Sequence, residues 1–111
     1  MAAYNASHRF ARISARKVRP LADLIRGQYA DDALDILKYQ PHRGARLLEK
    51  VLKSALANAE ERRAPNLQNL RVVDARVDGG PMFKRLRPRA RGMAFTIQRR
   101  MSHIRVSVGN D

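Results

Sequence analysis

A long basic segment without acids constrains this chain more than any other feature. Residues 79–110 contain no aspartate or glutamate but eight cations, namely Lys84, Arg85, Arg87, Arg89, Arg91, Arg99, Arg100 and Arg105. Because closely spaced like charges repel, such a segment settles only beside a dense source of negative charge, most commonly nucleic-acid phosphate. Arginine predominates, and its planar fork grips phosphate at two points and stacks on bases. The segment therefore predicts contact with nucleic acid.

The remaining charge is also unevenly placed. Residues 1–22 carry no acid and five cations, which are Arg9, Arg12, Arg16, Lys17 and Arg19. Residues 23–78 are almost neutral, with ten cations against nine acids, so most of the net charge of +13 lies in two flanking segments. Taken alone, the first patch is equally well read as a solvated face. Beside the second patch it favours a protein that bridges RNA segments through backbone and shape recognition.

Several other classes of protein lack support in the sequence. The chain has no cysteine, and its three histidines, His8, His42 and His103, are too scattered for a metal site. Asp31, Asp32 and Asp35 are better explained by the start of a helix than by a cation site. We expect no enzyme activity, no cofactor, no metal and no small-molecule substrate. The longest apolar run is four residues, so we expect a soluble cytoplasmic protein without a membrane span.

Periodicity predicts three helices. The first follows Ser14 as a possible cap and ends before Gly27, with Val18, Leu21, Ala22, Leu24 and Ile25 at helical spacing. Pro20 means that this helix either begins near Arg19 or has a distorted first turn. A short second helix opens at Asp31 and stops before Pro41. The third spans about 42–63 and carries the apolar stripe Leu47, Leu48, Val51, Leu52, Ala55, Leu56 and Ala59.

Alternating apolar residues predict strands around 8–13, over Leu70–Asp78 and on both sides of residue 100. Val73, Ala75 and Val77 are expected on one side of the second strand. Met93, Phe95 and Ile97 are odd-numbered whereas Ile104, Val106 and Val108 are even-numbered, so a bulge or bend is expected between 98 and 103. We predict an α+β fold in which a small antiparallel sheet packs with three helices. A long β-hairpin over about 79–102, with its tip near 83–89, extends from a single domain whose body comprises about 1–78 and 103–111.

Three segments resemble the bacterial ribosomal protein L twenty-two family of the large subunit. They run from Ser14 to Gly27, from Val51 to Ala59, and from Gly80 to Ile104 through Lys84-Arg85-Leu86-Arg87-Pro88-Arg89-Ala90-Arg91-Gly92 and Arg99-Arg100-Met101-Ser102-His103. The sequence departs from the family pattern at Met93, Phe95 and Thr96, where polar or basic residues are usual. It also departs at Ala15 and Pro20, as if the family's proline had moved along the helix.

The resemblance implies a structural constituent of the large subunit that binds ribosomal RNA, aids assembly and lines the exit tunnel of the nascent peptide. The implied tunnel-facing tip comprises Met82, Phe83, Lys84, Arg85, Leu86, Arg87 and Pro88. The implied RNA contacts along the arms are Arg89, Arg91, Arg99 and Arg100, and we also expect His103 and Arg105 to contact RNA. Neighbouring large-subunit proteins are implied as further partners. The alternative is a free basic protein that compacts DNA or acts as an RNA chaperone outside any fixed assembly.

The stripe on the third helix makes a first prediction. We expect Leu48→Asp to unfold the body, because it places an unpaired charge among apolar side chains. A thermal melt followed by circular dichroism measures this, and a melt that the substitution leaves unchanged would refute the assignment of the core.

Overall fold

The secondary structure follows the order β1, α1, α2, α3, β2, β3 in a computed structural model that describes residues 3–65, 67–88, 92 and 94–109. Its elements are β1 (Ala3–Ala11), α1 (Ala15–Ile25), α2 (Ala30–Tyr39), α3 (Arg43–Glu61), a 3-10 turn (Leu67–Asn69), β2 (Arg71–Pro88) and β3 (Ala94–Gly109). The sheet has the order β1-β3-β2, and both neighbouring pairs are antiparallel. The predicted α+β class, with an antiparallel sheet against three helices, is confirmed.

The core lies between the apolar stripe of α3 and one face of the sheet. Leu48, Leu52, Ala55 and Ala59 are fully buried, and Leu47 and Leu56 are half-buried at the margins of the stripe. The partners of this stripe in the core include Val18, Ile25, Leu37, Val72, Ile104, Val106 and Val108, none of which is exposed. Each aliphatic side chain of this size contributes about 1.5–3 kcal/mol on burial. The long helix thus organises the body as its periodicity predicts.

Helix α1 begins at Ala15, earlier than the start near Arg19 that was one of the two predicted alternatives. It runs from Ala15 through Pro20, so a start near Arg19 is wrong. The first turn is tight, with the Lys17 amide donating to the Ser14 carbonyl at 3.1 Å, and the Ser14 side chain makes no capping bond. Pro20 lacks an amide hydrogen, so the Arg16 carbonyl loses its helical donor, although the helix continues through the exposed Pro20 to Ile25. Leu24, expected in the core, is 48% exposed.

Gly27 follows the end of α1 in a left-handed conformation, as predicted. Its φ of +86° lies in the left-handed region, where a side chain is strained. The Gly27 amide donates to the Val72 carbonyl at 2.9 Å, and the Val72 amide donates to the Gln28 carbonyl at 2.8 Å. The left-handed turn therefore joins the helix directly to the outer edge of β2.

Two strand predictions need correction. Strand β1 spans Ala3–Ala11 rather than 8–13, because its pairing with β3 starts at Ala3 opposite Gly109. In β2 the register shifts between Val72 and Asp74. This bulge places Val72 in the core ahead of Ala75 and Val77, while Val73 is only half-buried. The prediction that Val73 shares the buried face was therefore wrong.

The hairpin leaves the body at a pair of bulges. The register of β2 against β3 shifts between Gly79 and Met82, opposite Met101, and that of β1 shifts between His8 and Ala11. A bulge or bend was predicted within β3, between residues 98 and 103. The structure instead has bulges opposite these residues, in β1 and β2, because β3 itself is continuous. Phe10, inside the β1 bulge, has a φ of +59°. The structure does not describe the side chains of residues 93–98. The prediction that Met93, Phe95 and Ile97 share one face of the strand therefore stays a prediction.

The turn of the hairpin lies further along the chain than expected. Pairing continues from Met82 opposite Arg100 to Pro88 opposite Ala94. The tip predicted near 83–89 therefore belongs mainly to the β2 arm, and the chain reverses between Pro88 and Ala94. The molecule is elongated as a result, with extents of 64 × 24 × 17 Å.

Close packing of α3 on α1 makes a second prediction. A Cβ on Gly44 would lie 3.2 Å from Leu21 Cδ1 and 3.3 Å from Val18 Cγ2. We expect Gly44→Leu to force the helices apart and to lower the free energy of unfolding by about 2–3 kcal/mol. Urea denaturation measures the change. Ala57→Leu, at an exposed position of the same helix, is the matched control, and equal midpoints for the two variants would contradict the packing argument.

Candidate nucleic-acid interface

A large basic concavity lies where the hairpin joins the body. It has a volume of about 1420 Å³ and is open to solvent. Its cationic lining residues are Arg12, Arg16, Lys17, Arg43, Arg99 and Arg100. The remaining lining residues are Ile13, Ser14, Pro20, Leu21, His42, Gly44 and Met101, so none of the described lining residues is acidic. The concavity therefore concentrates positive charge on a surface shaped to receive a convex ligand.

Two helix N-termini meet at this concavity. Gly44 allows the first turn of α3 to lie against α1, and the start of α1 follows Ser14 on the same wall. Neither Ser14 nor His42 makes a side-chain capping bond, and neither first turn contains an acid. The first amides of a helix have no partner within the helix and carry partial positive charge. Both helix ends therefore add to the field of the cationic side chains.

The hairpin contributes the opposite wall. Arg99 and Arg100 pair in register with Phe83 and Met82, just beyond the bulge. Both side chains are exposed, and both line the concavity together with residues of α1. Parts of two basic patches that are about 80 residues apart in the sequence thus share one surface.

The first predicted patch divides between the concavity and other positions. Arg12, Arg16 and Lys17 line the concavity. Arg9 lies in the β1 bulge with its guanidinium 5.4 Å from the centroid of the Phe10 ring. Arg19 donates from Nε to the Val77 carbonyl at 3.1 Å, so part of its bonding capacity serves the protein itself.

The second predicted patch extends along the hairpin and the sheet. Lys84 is exposed in the β2 arm, and the backbones of Arg85 and Arg87 belong to the same strand. Arg89 and Arg91 lie outside the described residues. Arg105 is exposed on β3 between Ser7 and Arg76, on the face of the sheet opposite Ile104.

His103 has a structural environment. Its Nδ1 accepts a hydrogen bond from the Phe10 amide at 3.0 Å. The two rings also pack edge to face, with centroids 4.9 Å apart and an interplanar angle of 86°. The imidazole thus supports the unusual backbone of Phe10, and the expected contact of His103 with RNA stays a prediction.

Sequence reasoning missed Arg43. It is the first residue of α3, it lines the concavity, and its Nη1 donates to the Arg12 carbonyl at 3.0 Å. The available signal was an acid-free first turn at the start of a long helix. Arg46, one turn later, serves the fold instead, because its Nη2 donates to the carbonyls of Leu37, Lys38 and Gln40 at the end of α2.

Other kinds of site lack support within the described residues. They contain no group of three or more histidines and acids placed to hold a metal ion. The helices among them include none long and apolar enough to cross a membrane.

Comparison with known proteins agrees with this geometry. The family model for ribosomal protein L22p/L17e matches residues 6–109. The large ribosomal subunit protein uL22 of Rhodopirellula baltica is 60% identical, over 97% of this chain and 95% of its own length. The uL22 protein of Caldicellulosiruptor saccharolyticus is 54% identical, over 91% of this chain and 83% of its own. These matches cover almost the whole chain, and the chain belongs to the L22p/L17e family of ribosomal proteins, not to a family of enzymes.

Proposed function

We propose that this protein is a structural constituent of the large subunit of the cytoplasmic bacterial ribosome and binds ribosomal RNA through the basic concavity and the hairpin. The observation that carries this proposal is the convergence of six cations and two helix N-termini on one surface without acids. Such a surface fits the phosphate backbone of RNA, because that backbone carries closely spaced negative charges. Contacts with the backbone position a protein without reading the base sequence.

The hairpin extends the proposed RNA-binding surface beyond the body. Its arms remain paired as far as Pro88 and Ala94, well beyond the end of β1 at Ala11. An isolated two-stranded ribbon is marginal in water, so RNA packed around its cationic arms completes its environment. One domain thereby contacts RNA at the body and at a distance, which supports a role in joining RNA segments during assembly of the subunit.

The outer part of the hairpin is proposed to line the exit tunnel and to meet the nascent peptide. Met82 and Leu86 are 54% and 75% exposed on the β2 arm, although both are large and apolar. Leu86 lies two residues before Pro88, close to the turn, and suits a surface along which a peptide passes, whereas Met82 lies at the base of the hairpin beside Arg100. Neighbouring large-subunit proteins are the further partners that membership of the family suggests.

Salt dependence tests the RNA contact. We expect the double substitution Arg16→Gln and Lys17→Gln to weaken binding to large-subunit ribosomal RNA by about 10–100-fold at moderate salt. The slope of log affinity against log salt concentration should become shallower by about 1.4–1.8, because two phosphate contacts are lost.

The matched control removes two exposed charges elsewhere, with Lys38→Gln and Lys50→Gln. We expect it to leave the slope almost unchanged, since these side chains lie on α2 and α3 outside the lining of the concavity. Equal slopes for the two double variants would contradict RNA binding at the concavity.

Shortening the hairpin tests its separate role. Replacing residues 84–98 by an Asn-Gly turn joins Phe83 to Arg99, which are partners in register. We expect the thermal midpoint of the body to stay nearly constant, because the core residues lie outside this segment. Reconstituted subunits should contain the shortened protein but show altered chemical reactivity of RNA along the tunnel. Unchanged reactivity would overturn the tunnel proposal, and loss of the protein from subunits at high salt would show that the body alone does not anchor it.

A further inference from the structure

Strand β2 is an edge strand whose outer carbonyls are filled by groups from α1 and its C-terminal turn. Unpaired backbone groups on a sheet edge need partners or water. The amide of Gly27 fills the Val72 carbonyl at 2.9 Å. Further along, Arg26 Nη2 donates to the Ala75 carbonyl at 2.5 Å, and Arg19 Nε donates to the Val77 carbonyl at 3.1 Å. These bonds follow β2 towards the hairpin.

The Arg19 bond lies next to the joint of the hairpin. Val77 is two residues before Gly79, where the register shift of β2 begins. A second shift in β1 lies at the same level, and β1 ends there at Ala11. Ser102, on β3 between these shifts, is fully buried, and within the described residues its Oγ has no hydrogen-bond partner. The sheet is thus irregular on both sides of β3 at the point where the hairpin departs.

Arg26 is itself held in place. Its Nη1 contacts Asp23 Oδ1 at 2.7 Å, which leaves Nη2 directed at the Ala75 carbonyl. Arg19 and Arg26 are seven residues apart, so they lie on one side of the helix and its C-terminal turn. Ala75 and Val77 are two apart on a strand and expose their carbonyls on the same edge. Arg19 of α1 and Arg26 of its C-terminal turn therefore donate to two successive outer carbonyls of β2.

We propose that Arg19 and Arg26 are positioning residues that fix the direction in which the hairpin leaves the body. This inference rests on the RNA binding proposed above, because the direction of the hairpin decides whether RNA can occupy the body and the arms together. Arg19 thus acts first through β2, and only indirectly on RNA.

The absence of cysteine from the chain permits a direct test on the full-length free protein. Spin labels at Lys50→Cys on α3 and Met82→Cys at the base of the β2 arm report the direction in which the hairpin leaves the body, independently of fraying in its outer part, and both positions are exposed. We expect a single narrow distance distribution in the parent and a broad one after Arg19→Ala with Arg26→Ala. Arg16→Ala, which removes a charge from the same helix without a bond to β2, is the control and should leave the distribution narrow. An unchanged distribution in the double variant, with its thermal midpoint retained, overturns the proposal.

RNA binding supplies a second measurement that separates positioning from phosphate contact. We expect the double variant to bind roughly tenfold more weakly, because RNA must then hold the hairpin in place. Its salt slope should equal that of the parent, since the same phosphate contacts form once bound, whereas Arg16→Ala should make the slope shallower. A slope reduced by two contacts would assign both arginines to RNA instead.

The two measurements separate the positioning role of the arginines from the proposed RNA binding. The distance distribution is recorded without RNA, so a broadened distribution stands even if RNA binding is disproved. If the double variant unfolds, Arg19→Met alone replaces it, because methionine keeps an unbranched stem but has no donor for the Val77 carbonyl. A narrow distribution in that variant would likewise overturn the proposal.

Discussion

Repulsion among cations governs this structure. Arg12, Arg16, Lys17 and Arg43 come from the body, and Arg99 and Arg100 come from the hairpin, yet all six line one concavity. Two helix N-termini add to the same positive field. Self-repulsion of this kind destabilises a compact state, and the apolar core beneath α3 must offset it. A polyanion that enters the concavity removes the repulsion and gains the attraction, so binding of a polyanion stabilises the folded state.

Strand β3 connects these two parts of the molecule. Ile104, Val106 and Val108 anchor one end of it in the core, and its other end forms an arm of the hairpin. The continuity of β3 means that the body and the hairpin share one backbone, with bulges only in the strands on either side. The long arm gains from this arrangement, because a single well-packed strand defines where the arm begins. The arginines of α1 and its C-terminal turn then fill the edge of β2 beside that point.

Local patterns predicted the elements well where packing followed one period. The stripe of α3 and the left-handed Gly27 were recognisable because helical spacing and helix termination depend on nearby residues. Val73 was misplaced because a bulge inverts the alternation without any local mark in the sequence. The turn of the hairpin was placed too early because repeated basic residues, with Pro88 among them, resemble a loop, whereas pairing with β3 keeps them in a strand. Leu24 belongs to an apolar pattern but meets no neighbour that covers it.

The amino-acid sequence by itself determined the basic segments, the three helices, the α+β class and the resemblance to a ribosomal family, since each rests on composition or short-range spacing. Only the tertiary structure decided which cations share a surface. Arg43 joins Arg99 in the concavity, and Arg19, outside its lining, donates from Nε to the Val77 carbonyl, 58 residues away along the chain. The physical reason is that such contacts depend on how closely α3 packs on α1 at Gly44 and on the register of β2 against β3, and both are properties of the assembled core.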